Sequence, residues 1–270
     1  MAWSAAARGI FLLALLVALA GCGGPLAGGS VTDEGLDGET GTVTPVPLPE
    51  ENGPTEVEEL APGLSKNAGV TDSNRLMHAH AAALANTSYT AVVISTRRAP
   101  NGSMGTRYNR SVRVESSDRF HYILRFEARD EPRRTELWRD SEEAYEATTT
   151  NRTTTYQALE APPLPTLLSS SDLQRLFNRL PTRVVETAVQ NDTTVYTIEG
   201  GPRALPPLYD VRFTARITEQ GLIQSYRLNY AVEREETRRT VTVEATFTGV
   251  GETTVDRPPW YEAATESTQE

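Results

Sequence analysis

The chain is 270 residues long, with 36 acidic and 26 basic side chains, three histidines, one cysteine and a formal charge of −10. One cysteine excludes an internal disulfide, and an acidic chain without a basic patch is unsuited to nucleic acid. The charge is unevenly placed: residues 23–70 hold nine acidic residues against Lys66 alone, a net of −8, whereas residues 71–270 hold 27 acidic and 24 basic, a net of −3. Every other basic residue is an arginine. Such an acidic, arginine-biased balance suits a GC-rich halophile, whose proteins stay soluble in strong salt through surface charge.

The chain opens with Arg8, an apolar run from Ile10 to Ala20, and the small residues of Leu19-Ala20-Gly21-Cys22. This order predicts a secretory signal peptide over residues 1–21. Its apolar core is shorter than the roughly 20 residues a spanning helix needs. Leu19-Ala20-Gly21-Cys22 resembles the lipobox of prokaryotic lipoproteins. That resemblance implies that Cys22 is lipidated, becomes the mature amino terminus, and holds the protein to the outer face of the cytoplasmic membrane. One acyl chain binds only marginally, so stable attachment needs two. With no twin arginine before the apolar run, the general secretion route is expected. Residues 22–67, which run on from the lipidated cysteine, are rich in Gly, Pro, Thr and Glu. They cannot bury enough apolar surface to offset ordering and are expected to form a disordered acidic linker. As a flexible coil of about 45 residues it would reach on the order of 35–40 Å.

A single folded domain is expected over residues 68–260, large enough for one sizeable core. Thr71-Asp72-Ser73 supplies helix caps, and Leu76, Met77, His80, Ala81 and Leu84 recur at helical spacing. From Tyr89 the apolar period falls to two. One strand is expected from Tyr89, a reversal at Asn101-Gly102, a second strand from Thr106 to Glu115, and a third bearing Phe120, Tyr122, Leu124 and Phe126 on one side. Short strands are expected next around Leu137-Trp138, Ala144-Tyr145 and Thr154-Tyr156. Ser171-Asp172-Leu173-Gln174 opens a second helix, with Leu173, Leu176, Phe177 and Leu180 as its apolar stripe and Pro181 as its stop. Then come a hairpin about Asn191-Asp192, a Gly-Pro loop over residues 200–207, and three alternating strands carrying Phe213, Tyr226, Tyr230 and Phe247. Strict alternation gives each strand one apolar and one wet face. The expected fold is therefore α+β: a curved antiparallel up-and-down sheet, a half-barrel, covered by about two helices. Residues 261–270 are expected to be a disordered tail.

No catalytic constellation emerges. Gly102-Ser103-Met104-Gly105 lacks the first glycine of a nucleophile elbow and falls in a hairpin. His78 and His80 point about 200° apart on one helix, and His121 is the third histidine, so no metal site is expected. Glu142-Glu143 and Glu235-Glu236 fall on predicted strands and split between faces. Asn86, Asn101, Asn109, Asn151 and Asn191 each begin an Asn-X-Ser/Thr triplet, candidate glycan acceptors in an exported chain. The one face that invites a ligand is apolar: Phe120, Tyr122, Leu124, Phe126, Phe213, Tyr226, Tyr230 and Phe247, where tyrosine brings a hydroxyl to an otherwise greasy surface. The same residues also read as ordinary core against the helices.

The succession of lipobox, acidic linker, helix, meander, helix and second meander ending in Pro258-Pro259-Trp260 resembles a group of haloarchaeal lipoproteins. Their folded part opens similarly to Gly69-Val70-Thr71-Asp72, His80, Leu84 and Ser88-Tyr89-Thr90 here. In architecture the order is similar to the lipoprotein-carrier proteins of bacterial envelopes and the lipid-carrying lipoproteins of mycobacteria. That similarity implies an incompletely closed half-barrel whose concave face accepts acyl chains. The expectation is a non-catalytic lipoprotein, without cofactor, that binds or carries a lipid or isoprenoid. A surface interaction protein with a solid core is the alternative.

Overall fold

The computed structural model describes residues 58–128, 132–167, 170–234 and 237–268. The signal peptide, Cys22, the linker up to residue 57, and Glu235-Glu236 lie outside the described residues.

Three very short strands come first: β1 (Glu59–Ala61), β2 (Leu64–Ser65) and β3 (Gly69–Val70), which pair in that order. They lie partly in the stretch expected to be linker. Ala61 and Leu64 are buried in the core, which anchors a segment too short to show periodicity. Helix α1 (Ser73–Leu84) begins where the caps predict, the Asp72 carboxylate accepting from the Arg75 N–H at 2.9 Å.

Two meanders then form one eleven-stranded antiparallel sheet. The first comprises β4 (Tyr89–Arg98), β5 (Met104–Ser116), β6 (Arg119–Ala128), β7 (Arg133–Arg139), β8 (Ala144–Thr150) and β9 (Thr153–Ala158). The second comprises β10 (Thr182–Gln190), β11 (Thr193–Leu205), β12 (Leu208–Thr218), β13 (Ile223–Arg234) and β14 (Thr237–Thr248). Helix α2 (Ser170–Phe177) lies between them in sequence. The order is β10-β11-β12-β13-β14-β4-β5-β6-β7-β8-β9, so β14 and β4 join the meanders side by side. The sheet is curved and open, the half-barrel α+β architecture that the alternation predicts. The Asn191-Asp192 turn adopts positive φ at both residues (48° and 59°), as a two-residue hairpin needs.

Further details differ from the sequence expectation. Residues 200–205, expected in a loop, continue β11, with register shifts around Arg203 absorbing the Gly-Pro irregularity. Helix α2 ends at Phe177, ahead of Pro181. Residues 261–268, expected to be disordered, form a third helix, α3 (Tyr261–Thr268), because Tyr261 and Ala264 are buried against the sheet. Finally, β7 and β8 bury apolar residues on both faces. Trp138 on their outer side packs with Val255 and Tyr261, flanked by Tyr145 and Trp260. The Tyr261 ring stands edge-on to Trp138 at 5.2 Å, and Arg257 lies over it at 4.5 Å.

The main core fills the inner face, under the two central helices. Phe177 of α2 meets Phe213 edge-on at 5.2 Å, and His80 of α1 meets Phe247 at 5.0 Å. The helices are tied to each other where the Ser73 hydroxyl bonds Asn178 Oδ1 at 2.7 Å.

Candidate functional site

Cross-strand register places all eight predicted apolar residues on one face. Partners directly opposite share a face. One row runs Phe247, Ala91, Val112, Tyr122. The next runs Tyr226, Ala245, Val93, Arg110, Leu124. A third runs Phe213, Leu228, Val243, Ser95, Tyr108, Phe126. Tyr230, Val241 and Arg97 form a fourth. Phe120 stands opposite Val114, whose partner on the other side is Tyr89.

Burial divides this face. Phe120, Phe213, Tyr226 and Phe247 are core, sealed by the helices. Tyr122 and Tyr230 are half-buried at the margin of that core, with Leu228 and Val243. Leu124 and Phe126 are half-buried on β6. Tyr108, 42% exposed, tilts against Phe126 with ring centroids 4.8 Å apart. The face is thus a filled core continuing into a partly covered apolar floor across β13, β14, β4, β5 and β6. Tyr108, Leu228 and Val243 are part of that floor although their sequence signal, plain alternation, does not distinguish them from core.

The tyrosines of this face are held neutral. Burial pushes Tyr226 up to about 12, against the nearby positive charge of Arg110. Burial also raises Tyr122 and Tyr230, opposed by Arg110 and Arg97 respectively. These phenols therefore stay protonated across the physiological range, and the two arginines supply the positive charge beside them.

The remaining candidates are placed as follows. His80 is buried, its Nδ1 accepting the Ile223 N–H at 3.3 Å, whereas His78 is exposed. His121 bonds the buried Glu136 at 3.1 Å on the outer face, and Arg134 meets the same carboxylate at 2.9 Å. Burial raises the Glu136 pKa, but the His121 hydrogen bond and the charge of Arg134 outweigh it and leave it lowered. Glu142 and Glu143 sit in the turn before β8 rather than on a strand, because both backbone N–H groups donate to Asp140; Glu143 also receives the Tyr261 hydroxyl. No group of three His, Cys, Asp or Glu that could hold a metal ion occurs among the described residues. Asn86, Asn101, Asn151 and Asn191 are exposed in turns, whereas Asn109 is half-buried within β5. The outer face carries a shallow trough of about 740 Å³ over Val92, Ile94 and Val195, rimmed by the Arg227–Glu244 pair. No described helix is long and apolar enough to cross a membrane.

No family model matches the chain, and no curated protein matches it in sequence. Among solved structures it is similar to LprF from Mycobacterium bovis, at 8% identity and a TM-score of 0.35, covering 72% of this chain and 99% of that one. A DUF1329 family protein from Desulfovibrio piger matches at 8% identity and a TM-score of 0.27, covering 72% and 97%. A LolA superfamily protein from Nitrosomonas europaea matches at 8% identity and a TM-score of 0.26, covering 69% and 94%. At these identities and scores the likenesses assign neither a family nor a ligand.

Proposed function

We propose that this chain is a membrane-anchored extracytoplasmic lipoprotein, held by a lipid on Cys22, whose sheet binds or carries an apolar, lipid-like molecule without catalysing a reaction. One observation carries the reading: the apolar floor formed by Tyr108, Tyr122, Leu124, Phe126, Leu228 and Tyr230 continues past the two helices and stays only partly covered. Leaving such side chains wet forgoes roughly 25 cal/mol for each Å², and contiguous apolar surface of this kind marks a place where something docks.

The test is native mass spectrometry on the full chain released from its membrane. A reproducible extra mass, removed by organic extraction and identified as a lipid or isoprenoid, is the expected result. A bare mass refutes carriage. It would leave the alternative, a surface interaction protein, which the complete filling around Phe120, Phe213 and Phe247 also fits.

A further inference from the structure

The inner face is basic, in a chain whose net charge is −10. Register places Arg97, Arg110, Arg133, Arg139 and Arg239 on it. Glu127, Glu136, Glu199 and Glu244 belong to the outer face, where they pair with Arg107, Arg134, Arg183 and Arg227 at 3.9, 2.9, 3.5 and 3.2 Å. Across β4–β9, β13 and β14, the described carboxylate on the inner side is Glu146, engaged by the Thr148 hydroxyl at 3.3 Å. Asp172 of α2 faces Tyr226 and Tyr230 but is paired with Arg175. Arg139 donates to the Pro162 carbonyl at 2.7 Å. Among the described residues Arg97, Arg110, Arg133 and Arg239 make no ion pair.

Arg110 is the informative one. It is half-buried, its cross-strand neighbours are Val93 and Leu124, and its charge reaches Tyr122 and Tyr226. A guanidinium taken partly out of water with no ion-pair partner is unfavourable in the empty protein. Arg97 lies on the neighbouring strand, so the two arginines flank the Ser95–Tyr108 pair at the floor's centre. Guanidinium forks match the oxygens of a tetrahedral oxyanion, and such charge-assisted bonds are about twice as strong as neutral ones.

We propose that the inner face takes an anionic amphiphile, its chain lying on Leu124, Phe126, Leu228 and Tyr230 and its phosphate-type head group held by Arg110 and Arg97. The proposal rests on the reading that this face takes an apolar ligand. The test separates the two. The full chain is offered equal amounts of dodecyl phosphate and 1-O-dodecylglycerol, which share a tail, and the two adducts are counted by native mass spectrometry. Dodecyl phosphate is expected to exceed the neutral amphiphile about tenfold or more. An Arg97→Gln/Arg110→Gln double variant is expected to bring the ratio to within about twofold while keeping the neutral adduct, which also shows that the variant is folded. Equal adducts on the wild type overturn the anionic head group and leave the apolar reading standing. A preference that survives in the double variant overturns the assignment to these arginines. Failure of both amphiphiles to bind refutes both readings.

Discussion

His80 makes the fold sensitive to acid in a way that can be worked out in advance. Its ring is buried between α1 and the sheet, accepting a backbone N–H through Nδ1 and meeting Phe247 edge-on. Burial lowers its pKa from 6.5 to about 4. The folded state therefore holds the neutral ring, whereas the unfolded chain takes up a proton below about pH 6.5. Stability from this residue is fully present above that pH and is lost as pH falls toward 4. A tenfold change in proton affinity is worth about 1.36 kcal/mol, so about 2 kcal/mol is lost by pH 5 and about 3 by pH 4. The assay is urea unfolding at pH 7.5, 6.5, 5.5 and 4.5, followed by tryptophan fluorescence, on the wild type and on His80→Asn. Asparagine keeps an acceptor for the Ile223 N–H but cannot titrate. Carboxylates such as Glu136 titrate alike in both proteins and cancel in the difference. The gap between the two proteins should close by about 2.5 kcal/mol between pH 7.5 and pH 4.5. Parallel pH profiles would refute the reasoning.

Phe213→Ala removes an almost fully buried ring packed on Phe177 and Tyr226 and should cost about 3–5 kcal/mol in denaturant titrations. A cost under about 1 kcal/mol would mean that α2 does not seal this end of the sheet. Tyr261→Ala takes the edge-on ring off Trp138, so tryptophan emission should move to the red; an unchanged spectrum would remove the outer cluster. At Gly69 (φ 64°) an added Cβ would stand 2.3 Å from the Thr182 carbonyl oxygen, beside the Val70 N–H that donates to the Thr182 hydroxyl. Gly69→Ala should therefore lower the melting temperature by at least the equivalent of about 1 kcal/mol, and a neutral result would contradict the close approach of β3 to β10. Cys22→Ser should free the protein from membranes; a variant that still sediments with them would exclude the lipid anchor.

Much of the sheet is legible in the sequence because its chemistry is local. Period-two alternation from Tyr89 to Phe126 and from Tyr209 to Phe247 identifies both strands and faces, and the reversals at Asn101-Gly102 and Asn191-Asp192 announce themselves by residue type. What escapes is what depends on distant partners. Leu64 and Tyr261 sit in short segments with no period of their own, and only the core and Trp138 respectively explain their burial. The floor escapes in part for the same reason: Phe120 and Phe126 alternate identically on β6, yet one is sealed and the other half-exposed, a difference set by where the helices end. Arg110 is legible in principle. It interrupts the apolar series Tyr108, Val112, Val114 on β5, an interruption that gains meaning only once Leu124 and Val93 are known to flank it.

The seam between β14 and β4 bears on how the molecule comes to exist. It joins Thr240 to Arg98 and Thr248 to Thr90, bringing together segments more than 140 residues apart at the middle of the sheet. As the chain folds, β4 through β9 can zip as successive hairpins, but β4 must wait with one edge of unpaired N–H and C=O groups until β14 reaches it. An open edge of that length is a template for foreign strands, and pairing across so long a loop is slow. The chain is most vulnerable in that interval, so a custodian that shields β4 while the second half arrives would raise the yield of folded protein.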